Sequence, residues 1–337
     1  MGRQSEMKVC VIGAGAIGGY LGVKLAESGA QVSVLARGKT LQAIQTRGWI
    51  LEEGEKRLVA KVKASSDPQA LGVQDVVIIA VKAHALADVA PMVSSLCHEE
   101  TVVIPAINGI PWWFSHGMAR FGVPARLDSV DPEGVIDQAI DSHRVLGSVV
   151  YPSCYSPEPG VSHHSSGTRL VLGEIASPST AGGSTERLAR VVALFNAAGL
   201  AAEQTDAIGR AVWEKLLGNV CFNPVSLLTG SSTDLLIDDP RVYEVFVALM
   251  NEVTAVGAAL GLDISVAPPQ RLAVTRKLGR VKTSMLQDAE AARPVEVQAI
   301  AGAFVEVARA LNIETPIAST IYALARMRAQ TFGLLKQ

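Results

Sequence analysis

The period of the hydrophobic positions changes along this chain. Lys8 to Ile12 is a short β-rich apolar run that enters a glycine cluster, and Ala16 to Ser28 then takes up helical spacing. A second β-rich run, Gln31 to Leu35, follows Gly29, so about 30 residues spell one βαβ unit, whose crossover should be right-handed. Further strands are predicted at Leu58 to Val62, Val76 to Val81 and Val102 to Ile104; the unbroken run VVIIAV suits a strand buried on both faces. Asp67-Pro68 and Pro91 fall where helices should begin. Val145 to Leu172 is β-like, with turn residues at Ser156 to Gly160, and Thr185 to Ala198 predicts a helix.

Beyond Ala207 the spacing is helical throughout, at Ile208 to Phe222, Arg241 to Leu260, Gln270 to Leu278, Val295 to Leu311 and Ile317 to Met327. Pro240 and Pro316 start helices, and Gly261 and Asn312 lie close to helix ends. The pattern predicts an α/β fold, a parallel-sheet domain over 7–204 followed by an all-α domain over 205–334, with the boundary near Gln204. A length of 337 residues agrees with two domains at about 150 each.

Composition removes several function classes. Charged residues make up 18% and the formal net charge is -2, which leaves no basic excess for nucleic acid. The longest uncharged stretch, Thr101 to Ala119, is interrupted by Pro105, Asn108, Pro111 and His116, so no membrane span is expected. Met1 to Glu6 carries no apolar signal-peptide core, which points to the cytoplasm. Cys10, Cys97, Cys154 and Cys221 form no C-x-x-C pair, and His163-His164 has no second ligand cluster, so no metal site is expected.

Gly13-Ala14-Gly15-Ala16-Ile17-Gly18 is G-x-G-x-x-G directly after a strand and opening a helix, the Rossmann-type fingerprint for a dinucleotide. The first glycine permits the turn, the second lets backbone approach the pyrophosphate, and the third lets helix pack on strand. After the second strand stands Arg37, where an NAD enzyme usually places Asp or Glu; Arg37 suits the 2′-phosphate of NADPH, or is a solvated surface charge. Lys82 and Asn108-Gly109 end strands at the sheet edge where ligands bind, and each also reads as ordinary strand-end or turn chemistry.

Lys215, Asn219 and Asn223 recur every four positions, so they share one helix face with about 40° of drift per step. Apolar neighbours Trp213, Leu216, Leu217, Val220 and Phe222 mark the segment as largely buried, and a buried lysine and two amides need partners or a function. The alternative is a stripe facing solvent, and Pro224 should kink or end the helix. Ser284-Met285-Leu286-Gln287 and Glu296 are the other polar candidates; Glu296 also reads as a carboxylate at a helix N-terminus. Trp112, Trp113 and Phe114 need a surface to cover: a substrate cleft, favoured on the sequence, a subunit interface, or simple core packing.

With GAGAIG, Arg37, Val81-Lys82-Ala83, Asn108-Gly109, W-x-K-L-x-x-N-x-x-x-N-P at Trp213 to Pro224, and S-M-L-Q-D followed by Glu296, the chain resembles ketopantoate reductase (2-dehydropantoate 2-reductase). The resemblance implies a Rossmann domain joined to a helical domain, with the site in the cleft between them. It implies Lys215 as proton donor and Glu296 beside it in catalysis, with Gly13 to Gly18, Lys82, Asn108 and Glu296 on NADPH. Asn108, Lys215, Asn219, Asn223 and Ser284 to Gln287 would hold a small 2-oxo acid, and a homodimer is allowed. Thr233-Asp234 stands where family members usually carry Asn-Gly, a difference that bears on the substrate rather than the cofactor. Other readings are reduction of a larger or more apolar 2-oxo acid, a β-hydroxyacid dehydrogenase, and a nonenzymatic NADPH sensor. The β-hydroxyacid dehydrogenase reading lacks its expected Gly-Gly substrate loop, since Gly-Gly occurs only at Gly18-Gly19 and Gly182-Gly183, and Lys215 argues against the sensor.

Overall fold

A computed structural model describes residues 7–175, 185–264 and 266–335; Met1 to Glu6 and the Gly182-Gly183 pair lie outside them. The chain divides into two compact units, Met1–Ile107 with Gly134–Ile208, and Asn108–Glu133 with Gly209–Gln337. The segment Asn108–Glu133, which the sequence leaves among the strands, therefore belongs with the helices.

The first unit opens with β1 (Lys8–Ile12), β2 (Gln31–Leu35), β3 (Trp49–Glu53), β4 (Lys56–Ala60), β5 (Lys63–Ser65), β6 (Gln74–Ile79) and β7 (Cys97–Pro105). Five of these form one parallel sheet in the order β5-β2-β1-β6-β7. The chain leaves β1 in one direction through β2 and β5, then resumes at β6 on the other side. The topological switch point thus lies between β1 and β6, where open α/β sheets bind ligands. Val9, Cys10 and Val11 of β1 are fully buried, as a central strand covered on both faces requires. This is a Rossmann-type sheet.

Two smaller sheets complete the unit. After β8 (Leu146–Val150), β9 (Ser153–Tyr155), β10 (Val161–Ser166), β11 (Arg169–Glu174) and β12 (Ala201–Gln204), the orders are β4-β3-β10-β9 and β12-β11-β8. The predicted strand Leu58 to Val62 is β4, shifted two residues earlier and paired antiparallel with β3, which the hydrophobic pattern did not show. Pro91 does not start a helix: it lies inside Leu86–Val93. The helix tolerates it because Pro91 and Ala87, whose carbonyl it cannot serve, are both exposed and open to water.

The second unit is helical, built on Ile208–Thr229, Thr233–Asp238, Pro240–Ala259, Pro268–Arg276, Ser284–Glu290, Ala303–Ala310 and Pro316–Thr331. Asp239 caps Pro240–Ala259 by accepting from Arg241 N and Val242 N, and Gly261 and Asn312 adopt positive φ just past helix ends, as predicted. Pro240–Ala259 is long and apolar enough to cross a membrane by length and composition. Its buried residues Phe246, Leu249, Met250, Val253, Val256 and Gly257 follow the spacing of a helix packed into a protein core.

Pro224 neither ends the helix nor stands at its edge, because the helix runs on to Thr229. Burial of Cys221, Phe222, Val225 and Leu227 around it outweighs the roughly 3 kcal/mol that an interior proline costs. The aromatic segment is likewise decided by packing. Trp112, Trp113 and Phe114 are 3%, 2% and 1% exposed, and Phe114 stacks on Trp213 with ring centroids 5.7 Å apart. Trp213 in turn meets Phe304 at 6.0 Å, so the segment packs as core of the helical unit rather than lining the substrate cleft that its sequence favours.

Candidate active site

Two constellations emerge, one in each unit. In the first, the glycine cluster turns between β1 and the helix Ala16–Glu27. Gly13 has φ +99°, and a Cβ on it would stand 2.7 Å from Val81 Cγ1; Gly13 N–H donates to Leu35 O at 3.1 Å. A Cβ on Gly18 would collide with the Gly13 carbonyl, whereas one on Gly15 would meet nothing within 4 Å. The three glycines therefore serve the turn, the open approach and the close packing that their spacing predicts. The open side of Gly15 faces the helix N-terminus, where backbone N–H groups favour an anion.

A cavity of about 220 Å³ adjoins this turn, lined among others by Gly13, Ala14, Gly15, Arg37, Thr40 and Ser66. Arg37 is exposed and stands at the N-cap of the helix Gly38–Arg47. The lining combines a cation and two hydroxyls with apolar Ile12, Leu35 and Val89, a donor set that fits an adenosine 2′-phosphate beside an apolar base. Lys82 follows Val81 beyond the end of β6 and is half-buried.

In the second unit, Lys215 Nζ donates to Asn108 Oδ1 at 2.7 Å. Asn108 is held in place by its neighbours: Gly109 has φ +85° and packs so tightly that a Cβ would collide with the Ala299 carbonyl. Ile110 N–H donates to that carbonyl at 2.9 Å. Ala299 lies in a π-helical turn, Gln298–Gly302, which begins two residues after Glu296, a signal that no apolar spacing carries. Burial pulls the Lys215 ammonium down to about 8, opposed by the charge of the Glu296 carboxylate, which favours the protonated form. Glu296 is 6% exposed.

One and two turns on, Asn219 is half-buried and Asn223 is buried, so the lysine and amide stripe is not the solvent face of an amphipathic helix. Of the remaining candidates, Ser284 is exposed at the first turn of Ser284–Glu290, Met285 and Leu286 are buried, and Gln287 Nε2 donates to Lys282 O at 2.9 Å. This helix is tied to the lysine helix by Ser226 Oγ and Thr283 Oγ1, 2.5 Å apart and buried, a link that sequence reasoning missed. Two hydroxyls scattered 57 positions apart carry no motif.

Among the described residues no group of histidines, cysteines or carboxylates could hold a metal ion.

A Rossmann-type sheet with a dinucleotide turn, followed by a helical region carrying a half-buried lysine, defines a class of dinucleotide-dependent oxidoreductases. The family models "Ketopantoate reductase PanE/ApbA" and "Ketopantoate reductase PanE/ApbA C terminal" match residues 9–177 and 207–329, and the chain belongs to the ketopantoate reductase family. It is 40% identical to the 2-dehydropantoate 2-reductase of Mesorhizobium japonicum, over 97% of this chain and 99% of that protein. A solved protein of Ralstonia solanacearum MolK2 assigned to the ketopantoate reductases superposes with a TM-score of 0.92 at 47% identity, covering 98% of this chain and all of the other (100%). A D-mandelate dehydrogenase solved with NADH and anilino(oxo)acetate shares the fold alone, with a TM-score of 0.82 at 19% identity over 98% of this chain and 100% of its own.

Proposed function

We propose that the chain reduces a 2-oxo acid with NADPH, and that the substrate is 2-dehydropantoate, giving pantoate in the cytoplasmic route to pantothenate. The observation that carries this reading is the 2.7 Å hydrogen bond from Lys215 Nζ to Asn108 Oδ1, made by an ammonium whose proton is loosened by burial. Gly13 to Gly18, Arg37 and Lys82 hold the dinucleotide, with Asn108 and Glu296 contacting its nicotinamide end. NADPH, when bound, supplies hydride to the carbonyl carbon. Lys215 delivers a proton to the carbonyl oxygen as charge develops there, and Glu296 keeps that ammonium protonated at neutral pH. Asn219, Asn223, Ser284 and Gln287 orient the substrate oxygens, with Met285 and Leu286 placing the last two. The similarity to the Mesorhizobium enzyme over nearly the whole chain supports the choice of substrate.

A larger or more apolar 2-oxo acid is the second reading, and a local difference favours it. Thr233 and Asp234 stand where the family usually carries Asn-Gly, and Asp234 Oδ1 accepts from Ser232 Oγ at 2.5 Å. Following NADPH oxidation with 2-oxo acids of graded size separates the two. Turnover peaking at 2-dehydropantoate supports the first reading, a peak at bulkier acids the second, and no turnover with any of them overturns both.

A further inference from the structure

The turn between β9 and β10, Ser156-Pro157-Glu158-Pro159-Gly160, takes no part in the chemistry at Lys215, yet it reaches the dinucleotide cavity. Ser156 is half-buried and lines that cavity together with Gly13 to Gly15, Arg37, Thr40 and Ser66, far from all of them in the chain. The turn is seated on the helix Gly38–Arg47. Arg47 Nη1 donates to Glu158 Oε1 at 2.7 Å, and its Nη2 donates to Pro159 O at 2.8 Å. Gly160, at φ +78°, lies so close to this helix that a Cβ on it would stand 3.0 Å from Ala43 Cβ. Its carbonyl accepts from Ile50 N–H of β3 at 3.0 Å. With two prolines of fixed φ in the turn as well, Ser156 is presented to the cavity at a set position.

The hydrogen bonds of the Ser156 hydroxyl fix what it can bind. A hydroxyl has one proton to give and two lone pairs to offer. Ser156 Oγ donates to Val161 O at 2.7 Å, and the Glu158 carbonyl, 3.4 Å away, is an acceptor of the same turn. Either way the proton stays within the turn, and lone pairs are what Ser156 has left for the cavity. Such an oxygen repels a phosphate and attracts a hydroxyl hydrogen. Arg37 stands where a carboxylate usually accepts from the adenosine ribose, so a ribose hydroxyl in this cavity needs an acceptor from elsewhere. In a 2′-phosphorylated nucleotide the hydroxyl that the adenosine ribose keeps is the 3′-hydroxyl, on the carbon next to the phosphate.

We propose that Ser156 accepts a hydrogen bond from the 3′-hydroxyl of the adenosine ribose, while Arg37, Thr40 and Ser66 take the 2′-phosphate, so that the β9–β10 turn forms one wall of the nucleotide site. This rests on the reading that the chain binds NADPH.

The test is calorimetric titration of the full chain with 2′,5′-ADP and with its 3′-deoxy analogue, neither of which can be turned over. The wild type should bind 2′,5′-ADP about 3- to 10-fold more tightly than the analogue, the worth of one hydrogen bond between neutral groups. Ser156→Ala should bind the two alike, and Ser156→Thr, which keeps a hydroxyl, should retain the preference. A turn that is merely loosened weakens both ligands by the same factor and leaves their ratio intact, so the ratio separates contact from packing. An unchanged ratio in Ser156→Ala would overturn the proposal, as would a wild type that binds the two alike. Titration with 5′-ADP, which carries a hydroxyl at the 2′ position, tests the reading beneath. If 5′-ADP binds as tightly as 2′,5′-ADP, the choice of NADPH fails, while the effect of the 3′-hydroxyl still decides for or against Ser156. No binding of any of these nucleotides overturns both.

Discussion

Lys215 Nζ and Asn108 Oδ1 are joined at 2.7 Å across 107 residues of sequence, and both belong to the helical unit. The bond fixes one donor direction of an amine that burial has brought down to about 8, within reach of neutral solution. An amine so placed can act as a general acid where an exposed lysine would hold its proton too tightly.

Replacing Lys215 by Ala should lower kcat by roughly 10²- to 10⁴-fold, the range over which positioned acids contribute. NADPH affinity, measured by fluorescence titration, should stay close to the wild-type value, because the dinucleotide turn belongs to the other unit. Turnover near that of the wild type would remove Lys215 from the chemistry.

The rate of reduction should fall as pH rises through about 8, where Lys215 loses its proton. Asn108→Asp should move that limb to higher pH, because a carboxylate beside the amine favours the ammonium, and Asn108→Ala should move it lower by removing an acceptor. Stability carries the opposite sign. The folded value lies below the ordinary lysine value of 10.5, so between about 8 and 10.5 the unfolded chain holds a proton that the folded chain lacks. Lys215 therefore makes the fold gain stability as pH rises across that window. Denaturant titrations of wild type and Lys215→Met over the same range would expose the term as a difference in slope.

Arg37→Asp should turn cofactor preference from NADPH towards NADH, since it removes the cation beside the 220 Å³ cavity and supplies an acceptor for a ribose hydroxyl. Titration of both nucleotides decides it. Equal affinity of the wild type for the two would leave Arg37 as a surface charge only.

Phe114→Ala should destabilise the protein by about 3–5 kcal/mol, the usual cost of deleting a buried aromatic ring, because it empties the stack on Trp213. kcat/KM should fall alike for small and bulky 2-oxo acids, together with Tm. A change in the ratio between substrates at unchanged Tm would restore the segment to a binding role.

Local chemistry made much of this protein legible in its sequence. The β1, glycine turn and helix unit was readable because its period, its three glycines and the position of Arg37 are short-range features, and so was the stripe of Lys215, Asn219 and Asn223, because helix geometry alone puts every fourth residue on one face. Helix ends at Gly261 and Asn312 were readable for the same reason. Strand β3 was not, since its pairing with β4 and β10 is what makes it a strand. The fate of Pro91 and Pro224 was set by exposure and packing around them, and that of Trp112 to Phe114 by Trp213, about a hundred residues away in the chain. Only the tertiary structure could put Asn108 on Lys215, because the positive φ of Gly109, the π-helical turn and the Ala299 carbonyl act together there.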